Sequence, residues 1–181
     1  TGEVDQYQGR GAIPTLDAYM DRIRGKTAAL FAGACAAGAK SAGLEDGRVE
    51  TAGRFGEAFG MAFQIRDDLM DLLESGDAIG KPASHDLEKG NVTLPILMAA
   101  EADEGFRTDL SDYLDRWHGA SGQAGGAGHL LARARSLGVG ERTRTLSERF
   151  RQDALQCLEA LPEGEGRAIL AATLSSLDEM K

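Results

Sequence analysis

Gln64, Asp67, Asp68 and Asp71, in the run Gln64-Ile65-Arg66-Asp67-Asp68-Leu69-Met70-Asp71, are the residues of this chain whose types and spacing could do chemistry. At about 100° per residue, Gly60, Gln64, Asp67, Asp71 and Glu74 fall within about 40° of one helical line, with Asp68 at its edge. Side chains at i and i+4 stand about 6 Å apart, so Asp67 and Asp71 can converge on a divalent cation while Asp68 reaches a neighbouring one. Three carboxylates within an otherwise apolar helix are costly unless something cationic binds there. Oxygen-only ligation with room for water suits Mg²⁺, with Mn²⁺ as the second choice, and no His or Cys stands in the strip to favour zinc or copper. Such an ion is commonly completed by substrate phosphates, and Lys26 and Lys81 flank the strip as further positive charge. The plain alternative is a solvated acidic face, the usual meaning of a short DDxxD; the apolar surroundings argue against it.

Several elements must position these groups. The central helix is expected over about residues 48–74, with Phe55, Ala58, Met61, Ala62, Ile65, Leu69, Leu72 and Leu73 opposite the strip and Phe59, Phe63 and Met70 on one flank. Before it, Ile13-Pro14-Thr15 signals a helix start with Thr15 as N-cap and Asp17 in the first turn. That helix should run to about Ala39 and bury Leu16, Tyr19, Ile23, Leu30 and Ala34, leaving Lys26-Thr27 beside the stripe. A loop, Gly80-Lys81-Pro82-Ala83-Ser84-His85-Asp86-Leu87-Glu88-Lys89-Gly90-Asn91, follows the strip. Helices are then expected over 93–102, 106–117, 129–137, 141–161 and 164–180, with a Gly/Ala/Ser connector at 119–128. Asp109, Asp112 and Asp115 read as a solvated face, and His85 as a loop side chain. With no alternating strand pattern and no repeat, about seven helices imply an all-α antiparallel bundle.

At 181 residues the chain fits one domain, residues 1–181, with a single core. A net charge of −9 opposes binding to nucleic acid or anionic membrane, so an anionic substrate needs a local cationic device. No apolar run of about 18 residues spans a membrane, and no signal segment is apparent, which makes the cytoplasm the default location. Cys35 and Cys157 read as free, buried thiols.

Taken together, Tyr19, Lys26-Thr27-Ala28, Leu30, then Phe63-Gln64-Ile65-Arg66-Asp67-Asp68-Leu69-Met70-Asp71, then Gly80-Lys81-Pro82, Asp86-Leu87, Gly90 and Thr93-Leu94-Pro95 resemble the trans-isoprenyl diphosphate synthases, or polyprenyl synthetase family, in order and spacing. The resemblance implies an incomplete isoprenoid-synthase bundle and a prenyltransferase that joins an allylic prenyl diphosphate to isopentenyl diphosphate, giving a longer trans-prenyl diphosphate of geranylgeranyl length or beyond. It assigns Asp67, Asp68 and Asp71 to metal, and Lys26, Thr27, Gln64 and Lys81 to the allylic diphosphate and nascent cation, with Asp86 and Lys89 as weaker candidates. It also implies a homodimer, or pairing with a chain that supplies the family's first aspartate-rich motif, because that motif is absent here. The chain therefore reads as the C-terminal half of a family member: a fragment, part of a longer chain, or a half-site subunit. The alternative function is a non-catalytic or half-site partner of a heteromeric synthase.

Overall fold

The computed structural model describes residues 10–74, 85–119 and 127–177. Thr15 is extended and its Oγ1 accepts a 3.1 Å hydrogen bond from the Ala18 amide, so the first helix begins at its capping signal. Helix α1 (Leu16–Ile23), a π-helical turn (Arg24–Ala28) and α2 (Ala29–Ser41) form one rod. The π turn falls on Lys26-Thr27, the pair that interrupts the expected helix near its middle. One inserted residue rotates everything beyond it by about 100°. Tyr19 and Ile23 are buried as expected, but Leu30 is 76% exposed and Ala34 is exposed. Ala28, Phe31, Cys35 and Ala39 carry the packing of α2 instead.

Helix α3 (Asp46–Glu74) is the axis of the molecule and packs along both α2 and the later helix α8 (Val139–Glu159). Its contact with the rod is made backbone to backbone. A Cβ on Gly56 would lie 2.4 Å from the Phe31 carbonyl oxygen, and one on Gly60 2.6 Å from the Ala28 Cα. Phe55, Met61, Ala62, Ile65, Leu69 and Leu72 are buried on the expected side. Leu73, expected with them, is 42% exposed.

A one-turn helix, α4 (His85–Glu88), stands in the stretch expected as loop. Then come α5 (Leu94–Ala102), α6 (Glu104–Gly119), α7 (Ala127–Ser136), α8 (Val139–Glu159) and α9 (Glu165–Ser176). Every helix expected from the sequence is present, and no strand occurs among the described residues. Helix α5 buries every residue from Leu94 to Ala100, the pattern of a helix apolar all round. The apolar interior forms two clusters strung along α3 rather than the single core expected. One joins α1 and the later turns of α3 to α5, α6 and α7; the other joins α2 and its earlier turns to α8 and α9. The two thiols sit at the margin of the second cluster, half-buried, and burial pushes both pKa values up. Asp112 and Asp115 are exposed as expected, whereas Asp109 is paired with Arg133.

Candidate functional site

The π turn brings Thr27 over α3, where its hydroxyl donates to Gln64 Oε1 at 2.7 Å. That bond fixes the amide, so Gln64 Nε2 points at the aspartates and donates to Asp68 Oδ1 at 2.9 Å and Asp67 Oδ2 at 3.3 Å. The other oxygen of Asp68 accepts from the Tyr19 hydroxyl at 2.7 Å and from the Leu94 amide, at the start of α5, at 3.3 Å. Tyr19, Thr27, Gln64 and Asp68 thus form one chain of hydrogen bonds tying α1, the π turn, α3 and α5 together. The sequence places Tyr19 in the buried stripe and in the family-like motif, without a role at the site. Its role as an Asp68 partner was foreshadowed by the need of a buried Tyr hydroxyl for an acceptor.

The three aspartates are not equivalent. Asp68 is 4% exposed; burial raises its pKa to about 6, against the lowering effect of its Tyr19, Gln64 and Leu94 hydrogen bonds. Asp67 is exposed at the rim, and its pKa is raised by partial burial and by Asp86, while Gln64 and Lys26 act in the opposite sense. Asp71 is half-buried one turn further on. Lys26 is exposed and, with Asp86 on α4, lines a small cavity bordering Gln64 and Asp68. Lys89 is exposed, and Lys81 lies outside the described residues.

Among the described residues, no three His, Cys, Asp or Glu side chains are clustered closely enough to hold a metal ion by themselves. The donor set suits a hard cation whose coordination is completed by water and ligand. Asp67 and Asp71 present carboxylates along one line, and Asp68 is already occupied by three hydrogen-bond donors.

Residues 1–123 match the family model described as Polyprenyl synthetase. This chain belongs to the polyprenyl synthetase family. It is 35% identical over 170 residues to heptaprenyl diphosphate synthase component 2 of Geobacillus stearothermophilus, covering 93% of this chain and 51% of that protein. It is 34% identical to the all-trans-nonaprenyl-diphosphate synthase (geranyl-diphosphate specific) of Rhodobacter capsulatus, covering 99% of this chain and 54% of that one. The fold matches the crystal structure of a decaprenyl diphosphate synthase from Rhodobacter capsulatus with a TM-score of 0.84 and 33% identity, over 98% of this chain and 55% of the other. A polyprenyl synthase from Caulobacter crescentus, solved with calcium and isoprenyl diphosphate, matches with a TM-score of 0.78 and 30% identity, over 93% of this chain and 51% of that one. The chain therefore spans about half the length of these relatives. No helix among the described residues is long and apolar enough to cross a membrane.

Proposed function

We propose that this chain, residues 1–181, forms the C-terminal part of a polyprenyl synthetase domain. In this reading it supplies one diphosphate-binding wall of a prenyltransferase that makes a long trans-prenyl diphosphate from an allylic diphosphate and isopentenyl diphosphate. The observation that carries this reading is the hydrogen-bond chain from Thr27 through Gln64 to Asp68, which leaves Asp67 at the rim beside Lys26. In the reaction the allylic C–O bond breaks, a carbon–carbon bond forms to isopentenyl diphosphate, and the proton lost from the product passes to the released diphosphate. Divalent metal, Mg²⁺ before Mn²⁺, supplies charge neutralisation for the leaving diphosphate.

Asp67 and Asp71 would hold that metal. Asp68, fully engaged by Tyr19, Gln64 and the Leu94 amide, anchors the strip to α1 and α5 and would add its charge to the metal site without being a free ligand. Lys26 brings positive charge to the diphosphate, Thr27 holds the Gln64 amide, and Gln64 orients both Asp67 and Asp68; Lys81, outside the described residues, is a further cation by sequence position. The calcium and isoprenyl diphosphate in the Caulobacter crescentus relative support a cation-assisted diphosphate site. A cytoplasmic, homodimeric protein completes the reading.

The name of the Geobacillus stearothermophilus relative, component 2, favours a second reading in which the chain works within a heteromeric synthase. Retention of all three aspartates supports a chemical rather than a purely modulatory part in it. Calorimetric titration with an allylic diphosphate tests the site: binding should need Mg²⁺ and should be lost in the Asp67→Ala/Asp71→Ala double variant. Metal-independent binding that survives both substitutions would sink the role of the strip.

A further inference from the structure

A cavity of about 30 Å³ lies between α1, α3 and the loop that enters α5, and Lys26, Asp68, Asp86, Asn91 and Thr93 are among the residues that line it. Asn91 is 4% exposed. Its Nδ2 donates to Asp86 Oδ1 at 3.3 Å, and since an ionised carboxylate can only accept, this bond fixes which end of the amide is oxygen. Asn91 Oδ1 is thereby turned from Asp86 and stays buried, with no protein group donating to it. A buried acceptor in that position calls for a donor.

The neighbouring donors are mostly committed. The Tyr19 hydroxyl is given to Asp68 and the Gln64 amide to Asp67 and Asp68, while Arg22, which also lines the cavity, gives one of its five N–H groups to the Val92 carbonyl at 2.8 Å and lies over the Tyr19 ring. The Thr93 hydroxyl has one proton to offer. Lys26 has three, reaches the cavity from outside, and donates no hydrogen bond among the described residues, its charge acting on the Asp67 carboxylate at the rim. A cavity of this size and polarity holds about one water.

We propose that Asn91 is a positioning residue: its Oδ1, through one water in this cavity, fixes the Lys26 ammonium at the rim of the aspartate strip. Asn91 itself does not touch substrate. It decides where the charge of Lys26 stands, from the far side of the cavity and from a position 65 residues along the chain. The consequence for ligand affinity rests on the diphosphate-site reading above, whereas the tether can be measured on the free chain.

The first measurement is amine labelling of the complete, ligand-free chain, followed by mass spectrometry, with Lys40 as internal reference. Asn91→Ala should raise labelling of Lys26 relative to Lys40 at least threefold. Asn91→Asp, which keeps an acceptor and adds charge, should lower it at least twofold. Equal labelling of Lys26 in wild type and Asn91→Ala overturns the tether. If Asn91→Ala does not fold, Asn91→Asp decides alone: labelling should fall at least twofold, and an unchanged rate overturns the proposal.

The second measurement is calorimetry with inorganic pyrophosphate and Mg²⁺. Asn91→Ala should weaken binding about tenfold in the wild-type background and not at all in a Lys26→Ala background. An equal loss in both backgrounds means that Asn91 does not act through Lys26, and the inference fails. A wild-type chain that binds no pyrophosphate refutes the functional reading, while the labelling ratio still decides the tether.

Discussion

Asp68 is the residue whose environment is most unlike its sequence neighbours'. Burial raises its carboxyl from the usual value near 4 to about 6, so between those pH values the folded chain binds more protons than the unfolded one. Stability therefore falls as pH rises through that window and is level above it. Asp68→Asn removes this dependence. In urea unfolding from pH 4.5 to 8, wild type should lose roughly 2 kcal/mol relative to the variant as pH rises. Parallel pH profiles for the two proteins would refute this. Divalent metal near the strip opposes protonation, so apparent Mg²⁺ affinity should drop as pH falls below about 6, in line with proton–metal competition.

At the scale of elements, two contacts set the site. The first is the crossing of the rod over α3, where Gly56 and Gly60 let backbones touch. Gly56→Ala must push against the Phe31 carbonyl and should cost about 1–3 kcal/mol. Gly33→Ala, in α2 with nothing within 4 Å of the added methyl, should stabilise by up to about 1 kcal/mol. Denaturant midpoints with a common slope would check both signs. The second contact is the cap on α4. The Trp117 indole donates to the Glu88 carbonyl at 2.9 Å, and the Tyr113 hydroxyl to the Leu87 carbonyl at 3.3 Å, so α6 holds the turn that carries Asp86 into the site. Trp117 is the only tryptophan in the sequence. Its fluorescence should change when Mg²⁺ and pyrophosphate are added together to the wild-type chain, and the change should vanish in Asp67→Ala. Emission that ignores both ligands would show that α6 does not sense the site.

At the scale of the whole molecule, the rotated register of α2 leaves Leu30 76% exposed, next to the partly buried Phe31, whose ring centroid is 5.9 Å from that of Phe63. An apolar side chain so exposed contributes little to the stability of the folded chain. Leu30→Gln should shift unfolding by no more than about 0.5 kcal/mol. If a second copy covers this face in solution, as the homodimer reading implies, the same variant should sediment more slowly than wild type at high concentration. Identical sedimentation would place any partner elsewhere. The net charge of −9 works against self-association at low salt, so this comparison belongs at moderate ionic strength.

What the sequence by itself determined is the all-helical plan, the bounds of the strip helix to within a few residues, and the alignment of Gln64, Asp67 and Asp71 on one line. Those follow from a local period of 3.6 residues, which a chain expresses wherever its apolar positions agree with it. The motif order from Lys26-Thr27 to Thr93-Leu94-Pro95 was likewise legible, and the family match agrees with it. Tertiary structure decided what local periodicity cannot encode. The π turn at Arg24–Ala28 shifts the face of α2, because Thr27 is held against Gln64 and Ala28 against Gly60 across the helix crossing. Asp68, adjacent in sequence to an exposed carboxylate, is buried because Tyr19 and the Leu94 amide converge on it from 49 and 26 residues away. Asn91 and Asp86 enter the site only because Tyr113 and Trp117 of α6 cap the turn before them. Each of these depends on groups brought together by packing, and a spacing rule read along one helix has no access to a neighbour that arrives from another.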